Sequence, residues 1–157
     1  MKISLQSYNL VSFIGPFIPK PMKPLLTFIR IRFSIFIASL KDMLSKGDDK
    51  GIPLPPALLR FRVTETTDSK NFLNYGRISA EAIQDALKRI NRDVYSFEHV
   101  LDFGCGCARV LRWFYDHPKS CHFYGTDVDK EAISWCRKAI PFATFEVNKP
   151  LPPPAFP

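Results

Sequence analysis

The stretch "VLDFGCGCARVLRWF", Val100 to Phe114, decides the fold. An apolar run carrying one acid, Asp102, meets five small residues: Gly104, Cys105, Gly106, Cys107 and Ala108. An apolar pattern of helical spacing follows. A strand that ends in a glycine turn and restarts as a helix opens a β-α-β unit. Downstream the alternation continues. "HVLDF" (99–103), read as a short buried strand, "CHFYGTD" (121–127) and "ATFEVN" (143–148) predict three strands. Between them, "ARVLRWFYDH" (108–117) predicts a helix with Val110, Leu111, Phe114 and Tyr115 inward. "DKEAISWCRKAI" (129–140) predicts a second, with Asp129 as N-cap and Pro141 as its stop. Short connections in this order imply an α/β fold with a parallel sheet, right-handed crossovers and flanking helices.

Upstream, "KNFLNYGRISAEAIQDALKRI" (70–90) predicts a helix begun by Asp68 or Ser69 and broken or bent at Gly76. "ALLRFRVTETTD" (57–68) reads as a short extended stretch, and "SKGDDKGIPLPP" (45–56) as a linker. Residues 25–44 fit two periods. Leu26, Ile29, Phe33, Phe36, Ile37 and Leu40 make a helical stripe, while Ile29, Ile31, Phe33, Ile35 and Ile37 alternate as in a strand. The length of the stripe favours the helix. Four prolines within residues 16–24 prevent a helix from running through that part. Three segments result: an apolar, basic and helical N-terminal segment (1–46), a linker (47–56) and an α/β domain (57–157).

The chain has 157 residues, with 22 Lys/Arg against 15 Asp/Glu, a formal charge of +7. Residues 1–46 hold seven of the bases and one acid, Asp42, which leaves 15 bases against 14 acids beyond them. The α/β part is close to neutral, so nucleic acid is not an expected partner. The basic apolar segment 25–44 is too interrupted by charge to span a bilayer. It suits either peripheral contact with a membrane or packing on the domain. Cys105, Cys107, Cys121 and Cys136 form no C-x-x-C pair and read as reduced, small apolar residues of a cytoplasmic protein. No paired ligand set suggests a metal.

Ligands of parallel sheets bind beyond the carboxyl ends of the strands. Gly104 and Gly106 permit positive φ and bare the backbone to a ligand. Asp127 ends the second strand, 23 residues after Gly104, where an acid can accept from ribose hydroxyls. This is a nucleoside-binding pattern. The dinucleotide fingerprint fails at its last position, which is Arg109 instead of Gly or Ala. Asp102, two residues before the turn, would repel a diphosphate and attract an ammonium group.

On "VLDFGCGCAR", "FYGTDVD" and "ATFEVN" with the prolines that follow, the chain resembles class I S-adenosylmethionine-dependent methyltransferases, over residues 97–157 and extending back towards residue 55. The resemblance implies a Rossmann-like sheet, S-adenosylmethionine as cofactor and methyl transfer to an unidentified acceptor. It implies that Asp102 holds the methionine amino group. Gly104, Cys105 and Gly106 would line the methionine and ribose with backbone. Asp127 would take the ribose hydroxyls, Val128 the adenine face and Asn148 the adenine amino group, with Tyr75 and Gly76 touching the cofactor from the preceding helix. One departure is Ala108, at the third glycine of the first motif. In the family, acceptor and catalytic positions follow the fourth and later strands, so no catalytic residue is assigned. About three strands are expected here, as in an N-terminal fragment or an early-ended product. The alternative is a non-catalytic module that binds the cofactor, a partner or a membrane.

Overall fold

The expected change of period is present in the computed structural model of the chain, which describes residues 23–44, 47–48, 50–116 and 118–149. Three strands, β1 (His99–Phe103), β2 (His122–Asp127) and β3 (Ala143–Val147), pair in parallel in the order β1-β2-β3. The register sets Asp102 beside Gly125 and Gly125 beside Phe145. Val100, Asp102, Phe123, Gly125, Asp127, Ala143 and Phe145 therefore share one face, because side chains alternate along a strand. The chain is an α/β protein with a Rossmann-like parallel sheet, of three strands among the described residues.

That face carries the core. Phe123 and Phe145 are buried on it, and the Phe114 ring stacks on Phe123 with centroids 5.6 Å apart. The helix between β2 and β3, Lys130–Ala139, contributes Ala132, Ile133, Cys136 and Ala139. Its start is fixed locally: the Asp129 carboxylate accepts from the N–H groups of Glu131 (3.0 Å) and Ala132 (3.2 Å). The opposite face bears His99, Leu101 and Phe103 on β1. Leu101 is 42% and Phe103 67% exposed on that face, and β1 is the edge strand among the described residues, so it is not the buried strand expected. Burial by a neighbour in the sheet cannot be read from apolarity alone.

Upstream, the described residues form three more helices, α1 (Lys23–Asp42), α2 (Ala57–Thr64) and α3 (Ser69–Lys88), which makes Lys130–Ala139 α4. Residues 25–44 thus take the helical period, and Pro24 is tolerated in the first turn of α1. Contacts divide the chain within α1, into a unit up to Ser34 and a unit from Ile35 onward. The described part of the first unit is the start of α1, and the helix as a whole buries none of its residues.

In the second unit, α2 replaces the expected extended stretch. Leu59 and Arg60 are buried, and Glu65 ends the helix at φ +56° with its N–H on the Phe61 carbonyl. The Asp68 carboxylate caps α3, accepting from Lys70 N (2.7 Å) and Asn71 N (3.1 Å). α3 runs unbroken through Gly76. Within the stretch expected as a linker, Asp48, Ile52, Pro53 and Pro55 accept hydrogen bonds from two buried arginines. Arg112, 1% exposed, donates to Asp48 Oδ2 (2.8 Å) and to the carbonyls of Ile52 and Pro53. Arg60, equally buried, donates to Asp42 and to the carbonyls of Pro55 and Thr67.

The helix expected over 108–117 is only a short 3-10 turn, Leu111–Phe114. Ala108 lies at φ +55°, in the left-handed region, so helical geometry cannot begin before it is passed. Tyr115, expected inward, is 41% exposed.

Candidate functional site

The connection after β1 is built from alternating left-handed residues: Gly104 (φ +79°), Gly106 (φ +53°) and Ala108 (φ +55°). Its position against the sheet is set by hydrogen bonds. The N–H groups of Gly104 (2.7 Å) and Cys105 (2.9 Å) both donate to the Thr126 carbonyl. Gly106 N–H donates to Asp127 Oδ2 (2.8 Å), and Ala108 N–H to the Cys105 carbonyl (2.9 Å). The turn is thereby held against the carboxyl end of β2.

The two glycines have different reasons to be glycine. A Cβ at Gly104 would meet nothing within 4 Å, so that backbone is open on its outer side. A Cβ at Gly106 would lie 2.8 Å from Val63 Cγ2, so Gly106 serves the packing of α2. Cys105 presents backbone only. Its thiol is buried, and a Cβ on Gly125 would fall 2.9 Å from its sulfur and 2.6 Å from the Phe145 ring. Burial pushes the thiols of Cys105 and Cys136 well above the ordinary range, and that of Cys107 up to about 12, so all three stay protonated.

Two carboxylates flank the turn. Asp127 closes β2 and accepts from Gly106 N–H and, through Oδ1, from Asp129 N–H (2.8 Å). Asp102 points from β1 to the same sheet face. Burial raises its carboxyl above the usual carboxylate range; the Arg109 charge lowers it and the Asp127 charge raises it further. Arg109 Nε is buried without a hydrogen-bond partner. Val128, next to Asp127, is 66% exposed. Asn148 folds back onto the sheet: its N–H donates to the Asp127 carbonyl (2.9 Å) and its Nδ2 to Thr126 Oγ1 (3.0 Å).

The fold thus gathers Asp102, Gly104, Cys105, Gly106, Asp127, Val128 and Asn148 around the ends of β1, β2 and β3. Gly76 packs elsewhere on the connection, against the Arg109 carbonyl and Trp113 Nε1. Two residues missed in the sequence complete the frame. Thr126, fully buried, is the acceptor that holds the turn and Asn148 together. Gly125 makes room for Cys105 and Phe145, and a glycine inside a strand was its available signal. Among the described residues no cluster of three His, Cys, Asp or Glu side chains is placed to hold a metal ion.

No family model matches the chain, and no curated protein sequence matches it. Among solved structures, it is similar to a TehB-like SAM-dependent methyltransferase from Corynebacterium glutamicum, at 20% identity and a TM-score of 0.30. The match covers 48% of this chain and 46% of that one, so the chain spans less than half of that protein's length.

Proposed function

We propose that this chain carries the S-adenosylmethionine-binding half of a methyl-transfer site. The observation that supports it is how the glycine turn spends its donors. Four of its N–H groups, those of Gly104, Cys105, Gly106 and Ala108, are already bonded to protein acceptors. A diphosphate needs such groups free. The turn also lies between two carboxylates, Asp102 and Asp127, which disfavour an anion and favour an ammonium or sulfonium ion.

The residues present suit that cofactor. Asp102 would pair with the methionine ammonium group. The open backbone of Gly104 would lie along the methionine and ribose, with Cys105 and Gly106 supporting it. Asp127 would accept from the ribose hydroxyls on lone pairs that Gly106 and Asp129 leave unused. Exposed Val128 offers an apolar face to adenine. The Asn148 side chain donates to Thr126, which orients its Oδ1 as the acceptor for the adenine amino group. When bound, the cofactor supplies an electrophilic methyl group. The contribution of these residues is to bind and orient it, and proximity carries much of the rate in such transfers.

The test is calorimetric titration of the purified chain with S-adenosylhomocysteine, with NADH as control. Saturable binding of S-adenosylhomocysteine alone supports the reading. Preference for NADH, or no binding of either ligand by the folded chain, overturns it.

A further inference from the structure

The α1 helix shows an apolar stripe to solvent. Leu25, Ile29, Phe33, Phe36 and Leu40 are between 46% and 64% exposed. They are spaced i, i+4, i+8, i+11 and i+15, so at 3.6 residues per turn they fall within an arc of about 80°. A helix of a water-soluble domain normally turns such a stripe to a core. Arg32 lies at one edge of the stripe, between it and exposed Phe28, and Arg30 lies on the other side beyond exposed Leu26, with Lys23 and Lys41 near the ends, all four cations exposed. The one acid of the helix, Asp42, is taken by Arg60 at 2.9 Å. Net positive charge therefore surrounds the apolar stripe.

We propose that α1 lies in the plane of an anionic lipid surface, its apolar stripe at the acyl boundary and its four cations against the headgroups. Charge complementarity selects this occupant. A second copy of the chain offers no matching acidic field, since beyond residue 46 its bases and acids nearly balance, 15 against 14. No helix among the described residues is long and apolar enough to cross a membrane, which fits a helix lying flat. The proposal is independent of the cofactor reading.

Vesicle co-sedimentation of the full chain tests it, with phosphatidylcholine alone and with about a quarter of it replaced by phosphatidylglycerol. Binding to the anionic vesicles is expected, falling as salt is raised. The double variant Arg30→Gln/Arg32→Gln should bind about 25-fold more weakly, since each base near an anionic leaflet is worth roughly a factor of five. Phe33→Glu/Phe36→Glu should abolish binding while circular dichroism of the domain is unchanged. These positions are exposed, so the substitutions leave the core intact. No binding by the folded wild-type chain overturns the proposal, as does equal binding of wild type and Phe33→Glu/Phe36→Glu. Lipid-free self-association that the same variant abolishes, without vesicle binding, assigns the stripe to a second copy and also overturns it.

Discussion

Asp127 does two things at once. It fastens the glycine turn to β2 through Gly106 N–H and is the acid proposed for the ribose. Asp127→Ala is expected to weaken S-adenosylhomocysteine binding by about 1–3 kcal/mol, the usual cost of losing a charged hydrogen-bond partner. Calorimetry reads this directly, and an unchanged dissociation constant would remove Asp127 from the site. Asp102 makes a different prediction. Burial holds its folded-state carboxyl above the ordinary value of 3.8. Once ionised, it costs the folded state stability that the unfolded chain does not lose. That cost is complete above the raised pKa and fades as pH falls towards the ordinary value. Asp102→Asn should therefore raise the melting temperature at pH 7.5, with the gain vanishing near pH 4, while weakening cofactor binding. Thermal melts at the two pH values check it; the same gain at both would show that ionisation is not its source.

At the scale of elements, glycine placement depends on what approaches the chain. In sequence, Gly76 looks like a flaw in a helix, because glycine costs roughly 1 kcal/mol there relative to alanine. In the fold α3 is continuous, and a Cβ at Gly76 would collide with the Arg109 carbonyl oxygen and lie 2.7 Å from Trp113 Nε1. Gly76→Ala should destabilise the domain by about 1–3 kcal/mol, overpacking outweighing the gain in helix propensity. Urea denaturation measures this, and a stabilised variant would contradict the close approach. The first crossover follows the same logic. Its apolar spacing predicts a helix from residue 108, yet three left-handed residues consume the start and leave only Leu111–Phe114 in a 3-10 turn. The third of them, Ala108, is not a glycine, and nothing in its side chain announces a positive φ.

Across the whole molecule, buried arginines decide how the segments before α3 attach. Arg112 and Asp48 are 64 residues apart in sequence and form an ion pair with side chains 1% and 7% exposed. Removing one partner strands a buried charge, so Asp48→Ala should cost about 3–5 kcal/mol of stability. Denaturant midpoints test this, and a loss below about 1 kcal/mol would show that the pair behaves as a surface bridge. Among the described residues, α4 and the Leu111–Phe114 turn cover Phe123 and Phe145 on one face of the sheet, while on the other face Leu101 and Phe103 of β1 stay exposed.

Much of this was legible in the chain itself. The three strands, helices α3 and α4, the glycine turn, the Asp68 and Asp129 caps and the stop at Pro141 were readable from patterns within a few residues, whereas α2 and the short 3-10 turn of the first crossover were not. The candidate site was legible in part, because Asp102, Gly104 and Asp127 sit at strand ends that periodicity locates. Tertiary structure alone decided the rest. It turned Gly106 towards Val63 and Gly76 towards Arg109, drew Asn148 to Thr126, tied Asp48 to Arg112 and left one side of β1 open. These partners all come from distant parts of the chain, Asn148 and Thr126 being the least separated at 22 residues. None of them leaves a local pattern, because which atoms meet is settled only when helices and sheet pack together.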